Sequence, residues 1–214
     1  MSNDESSLGK VLVEEIKTGQ ECICDGSGKT ISTVQKYWQW AYSSLIGNTE
    51  RGHFAEYLVA VALGIADSKR IEWDKYDLKS TSGITVEVKA SGYLQTWSQN
   101  KLTKPIFSIR PTLAWDYETN QYEEVSKRQA DVYVFCLHNY QRKDEGINPL
   151  DLSQWEFFVL PTKILDEKMP TQKTISLDKI KALGAVTVHF SELKDVIEHC
   201  LSGMRGKSNR DVSA

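Results

Sequence analysis

Eight consecutive residues, Ile84 to Ser91, alternate between two faces. Ile84, Val86, Val88 and Ala90 fall on one side; Thr85, Glu87, Lys89 and Ser91 fall on the other. A period of two specifies a strand with one buried face. Ser82-Gly83, just before it, reads as a turn, and Tyr76 to Thr81 reads as a second strand piece. Residues 76 to 91 therefore read as a β-hairpin.

The sequence before the hairpin has a different period. From about Glu50 to Ala66 the apolar residues lie on two helical stripes. Phe54, Leu58, Val61 and Ile65 form one; Val59, Ala60 and Leu63 form the other. A helix with that pattern is expected to be buried on nearly all sides. An earlier helix is expected from a Ser32 N-cap to about Ile46, with Gly47-Asn48 as the stop. Thr18 to Thr30, rich in glycine and small polar residues, reads as a loop. Ile71 to Trp73 is a further strand piece, and Tyr93 to Asn100 a short helix.

Further on, Ile106 to Ile109, Asp131 to Leu137 and Trp155 to Leu160 read as strands, and a hairpin is expected around Glu118 to Gln121. Ala185 to Phe190 is a strand between helices at Leu177 to Leu183 and Glu192 to Leu201. Alternation of helices with strands indicates one α/β domain over residues 31–201. Residues 1–30 read as a flexible N-terminal segment and 202–214 as a disordered basic tail.

Composition narrows the function classes. With 26 Lys plus Arg against 29 Asp plus Glu, the formal net charge is −3. That excludes a globally cationic coat for nucleic acid, but not a local basic cleft. Four cysteines are too few for a disulfide framework at this length. No secretory signal and no membrane span are visible, so a cytoplasmic protein is expected. Cys22-x-Cys24 lacks partners at zinc-site spacing. No Gly-x-x-x-x-Gly-Lys loop occurs, so no ATPase is expected.

Three acidic positions and one lysine carry the candidate chemistry. Glu56 lies on the helix stripe of Val59, Ala60 and Leu63. A carboxylate there needs a basic partner, or a helix less buried than the pattern suggests. If Thr81, Ser82 and Gly83 form the turn, Ser80 pairs with Ile84 and Asp77 falls opposite Glu87. Two like charges at that separation repel unless a cation sits between them or one is protonated, and a divalent metal with hard oxygen ligands is the economical remedy. A two-residue turn would shift the register by one and weaken the argument. Lys89 shares a strand face with Glu87. It could orient or deprotonate a water or stabilise a growing phosphate charge; a plain Glu87–Lys89 salt bridge is the alternative.

In this order the residues resemble a known family. Arg51-Gly-His-Phe-Ala-Glu56, then Tyr76-Asp77-Leu, then Glu87-Val-Lys89-Ala-Ser91 is similar to the PD-(D/E)xK superfamily of restriction-endonuclease-like nucleases. Tyr76 stands where the family's name has proline. The resemblance covers about residues 50 to 91, and the strand at 131 to 137 extends it. It implies a restriction-endonuclease-like core, a central mixed β-sheet flanked by α-helices. It also implies a phosphodiester hydrolase, a DNA endonuclease dependent on Mg2+ or Mn2+, with RNA left open as substrate. On that view Asp77 and Glu87 bind the metal and Lys89 handles the attacking water. Glu56 completes the metal site or positions water. Gln95, on a helix after the strand, would meet a phosphate or hold the lysine. Ser91 would lie at the edge of the site, and Lys101, Lys104 and Arg110 would contact nucleic acid. A homodimer would suit double-strand cutting. The rival readings are a nucleic-acid-binding or interaction module on the same fold with catalysis lost, and a structural protein. Convergence of Glu56, Asp77, Glu87 and Lys89 in one cleft separates them.

Overall fold

A computed structural model describes residues 15–70, 75–116 and 121–200. The expected tail at 202–214 and the strand piece at 71–73 lie outside the described residues. Among those described, no helix is long and apolar enough to cross a membrane. The chain divides into two compact units between Ser43 and Ser44. The helix expected after residue 31 thus groups with the segment before it.

In the first unit the expected loop is a hairpin. Strand β1 (Cys22–Cys24) pairs antiparallel with β2 (Thr30–Thr33). Asp25 closes the turn: its Oδ1 accepts the Ser27 and Lys29 N–H groups at 2.9 and 3.0 Å. Such side-chain-to-backbone bonds let a polar, glycine-rich stretch turn tightly. The following helix, α1 (Val34–Tyr42), is capped by Thr33, not Ser32, because β2 runs through Ser32.

The second unit holds the sheet and both cores. Helix α2 (Asn48–Leu63) leads into β3 (Leu78–Lys79) and β4 (Thr85–Gly92). An irregular crossover carries β5 (Ile106–Ser108) and the expected hairpin of β6 (Trp115–Asp116) and β7 (Gln121–Tyr122). Then come β8 (Val132–His138), β9 (Trp155–Pro161), α3 (Thr162–Lys168) and β10 (Thr174–Ser176). Helix α4 (Leu177–Ala182), β11 (Val186–Val188) and α5 (Leu193–His199) close the chain.

Five strands form the central mixed sheet, in the order β11-β9-β8-β4-β3. Only β4 and β8 run parallel; the other neighbours are antiparallel. The alternation seen in sequence sorts the two faces. Val86 and Val88 join Val132, Val134 and Cys136 in a core beneath α2 and α5. Tyr133, Phe135 and Leu137 face the other way, into a core built with β5, β10, α3 and α4. Glu87 and Lys89 stand on that second face, where the parallel register sets them beside Tyr133 and Phe135.

Two expectations fail for physical reasons. Helix α2 is not buried all round: Ala55, Leu58, Val59 and Leu63 enter the core, while Tyr57 and Val61 are exposed. It also stops early, because Gly64 turns left-handed at φ +72 and ties the last carbonyls. The helix expected at 93–100 does not form. Gln99 substitutes for its backbone ladder: Oε1 accepts the Gln95 N–H at 2.8 Å, and Nε2 donates to the Tyr93 carbonyl at 3.1 Å.

Candidate active site

The hairpin register places the site. Leu78 pairs with Val86 and Lys79 with Thr85. The Ser80 N–H donates to the Ile84 carbonyl at 2.8 Å. The turn is therefore Thr81-Ser82-Gly83, with Gly83 at φ +88, a conformation that favours glycine. One step further along this register, Asp77 faces Glu87. There the ladder gives way to a side chain: the Val88 N–H donates to Asp77 Oδ2 at 2.7 Å. That bond fixes the carboxylate against the edge of β4.

Lys89 links the two acids. Its Nζ lies 2.5 Å from Glu87 Oε1 and 3.7 Å from Asp77 Oδ2. The two carboxylate oxygens are thus no farther apart than the sum of those distances. All three side chains are mostly buried, at 20% exposure for each acid and 27% for the lysine.

Burial and charge pull the three groups in defined directions. Burial pushes the Asp77 carboxyl above its usual range, against the Lys89 charge and the Val88 hydrogen bond. Burial, and then the Asp77 charge, push Glu87 up as well. Burial alone would lower Lys89, but the charges of Asp77 and Glu87 outweigh it and hold the ammonium above its ordinary value. Two acids kept together against burial and mutual repulsion are under-neutralised by one lysine.

Glu56 joins this group through its field. It sits on α2, beneath the opposite face of the sheet, yet its charge raises both Asp77 and Glu87. Its own carboxylate forms a two-point pair with Arg70: Nε to Oε2 at 2.5 Å and Nη2 to Oε1 at 3.2 Å. Both answers to the buried-glutamate question hold, since α2 is partly exposed and an arginine is present. Among the described residues, no three of His, Cys, Asp and Glu stand close enough to hold one metal ion. Asp77 and Glu87 form the close pair; Glu56 stands outside it. Their donor chemistry, hard oxygens with excess negative charge in a mostly buried edge, fits a magnesium-type ion.

The supporting residues divide. Gln95 is a correction: it lies in an irregular segment, not on a helix, and is 5% exposed. Its Nε2 donates to the Gly92 carbonyl at 3.3 Å, and its Oε1 accepts from Arg51 Nη2 at 3.5 Å. It pins the chain leaving β4. Ser91 is half-buried on β4, on the face of Lys89. Lys101, Lys104 and Arg110 are exposed on the crossover after β4.

The bonding roles of two arginines went unread in the sequence. Arg70 is fourteen residues from Glu56, beyond any local spacing rule. Arg51 is buried, with Nη1 donating to the Leu94 carbonyl at 3.1 Å and Nη2 to Asn48 Oδ1. Gly92 makes room for it: a Cβ there would stand 2.7 Å from Arg51 Nη1. Only the placement of Arg51 among core positions 55, 58, 59 and 63 could have signalled this.

The sequence matches the family description of bacteriophage T4 endonuclease IV over residues 26–179. The chain belongs to the bacteriophage T4 endonuclease IV family. Membership makes it a nuclease, and an endonuclease by class. The matched stretch includes Glu56, Asp77, Glu87 and Lys89, together with β8 and β9. The family assignment and the acid–lysine cluster thus fall on the same part of the chain. No curated protein matches the sequence.

Proposed function

We propose that this endonuclease is a divalent-metal-dependent DNA hydrolase of the PD-(D/E)xK type. Asp77 and Glu87 would hold Mg2+ or Mn2+, with Glu56 as an outer carboxylate. The observation that carries this is the convergence of Asp77 and Glu87 on the Lys89 ammonium, at 3.7 and 2.5 Å, on β4 just past its pairing with β3. A structural salt bridge needs one acid for one lysine; a second, costly carboxylate beside them is better explained by a further cation.

When bound, a divalent ion would supply charge neutralisation at the phosphodiester and acidity to a water. The protein's own residues do the rest. The Val88 N–H holds Asp77 in place. Glu87 holds the Lys89 amine at the same edge. With the acids under-neutralised, Lys89 is an ammonium and can stabilise charge on a phosphate oxygen. With the charges that hold the ammonium up offset by a bound cation, burial remains, and it favours the neutral amine. The amine then becomes able to take a proton from an attacking water. Tyr133 and Phe135 back the site with apolar surface and limit water around it.

DNA is the substrate proposed, and a homodimer would give two sites for two strands. The test is cleavage of plasmid and of defined oligonucleotides, DNA and RNA, with Mg2+ or Mn2+ and again with EDTA. Metal-dependent cutting of DNA is expected. Equal cutting in EDTA would refute the metal requirement.

A further inference from the structure

A cavity of about 430 Å³ opens beside the acid–lysine cluster, between α2, the turn that follows it and β3. Glu56 and Asp77 are among its lining residues. The rest of its lining is mainly apolar: Ala60, Ile65, Leu78 and the rings of Tyr57 and Tyr76. Its size falls among small-molecule clefts of roughly 300–1,000 Å³.

A cleft that only held a phosphodiester backbone would need cations and backbone N–H groups, not aliphatic and aromatic walls. Phosphate contacts position nucleic acid, whereas apolar and aromatic walls suit a base. Tyr57 is 56% exposed, although its neighbours on α2, Ala55, Leu58 and Val59, are buried. An exposed aromatic at the mouth of an apolar cavity offers a stacking platform. Lys69, Arg70 and Lys79 also line the cavity, with Arg70 held by Glu56. The lysine charge suits a phosphate of a nucleotide whose base turns inward. Apolar walls beside basic side chains are complementary to the two halves of one nucleotide.

We propose that this cavity receives a nucleobase of the nucleotide adjoining the scissile phosphate, turned out of its stack and packed against Tyr57. The inference rests on the nuclease reading, since the base must belong to a strand cut at Asp77, Glu87 and Lys89. It adds a seat that selects where along a strand the phosphodiester meets those residues.

The test is an abasic scan. A DNA oligonucleotide with a mapped cut site carries one abasic nucleotide at each position in turn, and kcat/KM is measured for the full-length protein, for Tyr57→Ala and for Tyr57→Phe. The wild type should lose about tenfold or more at one position beside the cut, in line with the loss of one stacked base. Tyr57→Ala should cut the intact strand more slowly, yet show little further loss at that position. Tyr57→Phe should keep the wild-type pattern. As a second readout, 2-aminopurine at that position should change emission on binding in Ca2+ with the wild type and Tyr57→Phe, but not with Tyr57→Ala. A flat scan from an active wild type overturns the base seat and leaves the nuclease reading intact. So does a Tyr57→Ala enzyme that slows on intact and abasic strands alike and still shows the positional loss. A wild type that cuts nothing with Mg2+ or Mn2+ overturns both.

Discussion

Replacing Asp77 by Asn should make the metal-free protein more stable while removing its activity. The substitution keeps the shape and leaves a carbonyl able to accept the Val88 N–H, now bonded to Oδ2 at 2.7 Å. It removes attraction to Lys89 Nζ at 3.7 Å, worth about 4 kcal/mol at an effective dielectric of ~20. It also removes repulsion from Glu87, about 3 kcal/mol for charges ~5 Å apart in the same medium. Those nearly cancel, and the desolvation cost of a mostly buried carboxylate, several kcal/mol, is relieved. Lys89 keeps Glu87 at 2.5 Å. The net expectation is a gain of about 1–2 kcal/mol at pH 7, seen as a Tm rise of about 2–4 °C per kcal/mol.

The pH dependence supplies the sign. Asp77 is raised in the folded protein, chiefly by burial, so the folded state binds a proton that the unfolded chain releases above its ordinary range. Stability from this residue is present at low pH and falls as pH rises towards the folded pKa. Urea melts in EDTA at pH 4.5 and pH 7 should show that fall in the wild type and a shallower one in Asp77→Asn. Cleavage should drop at least a hundredfold, beyond the roughly 10–100-fold typical of residues behind a metal ligand. An Asp77→Asn protein less stable than wild type at pH 7 in EDTA, with an unchanged pH slope, would refute the electrostatic reasoning.

Three further outcomes follow from the same geometry. Gly92→Ala should cost about 2–4 kcal/mol in urea melts, because its Cβ would meet Arg51 Nη1 at 2.7 Å and displace a buried guanidinium bonded to Leu94. Phe157→Ala, at a fully buried position in the core under α2 and α5, should lose about 3–5 kcal/mol. Glu56→Gln should lower the midpoint for Asp77 and Glu87 titration, followed by carboxyl NMR in EDTA, because one of the charges that raises both is gone.

The sequence carried the centre of this site further than its surroundings. Strict alternation over Ile84 to Ser91 determined which face is core, and a glycine at φ +88 set the three-residue turn that brings Asp77 opposite Glu87. The strong strands β8 and β9 were legible because both are buried along their length. What escaped were features set by single side-chain bonds. Asp25 turned an apparent loop into a hairpin, and Gln99 replaced an expected helix. Helix α3 has only Thr162 and Leu165 buried, too little for a period to show. Gln95 was placed on a helix, and Arg70 was missed, for the same reason. The partner that decides each role, Arg51 for one and Glu56 for the other, is brought near by the fold and not by sequence spacing.

The most direct test of the central claim is a single-turnover cleavage assay in Mg2+ comparing wild type, Asp77→Ala and Lys89→Ala, each checked for native folding by circular dichroism. If Asp77, Glu87 and Lys89 form the nuclease centre, the folded wild type cuts DNA and both folded variants lose at least a hundredfold. If both variants cut at the wild-type rate, the centre lies elsewhere in the chain.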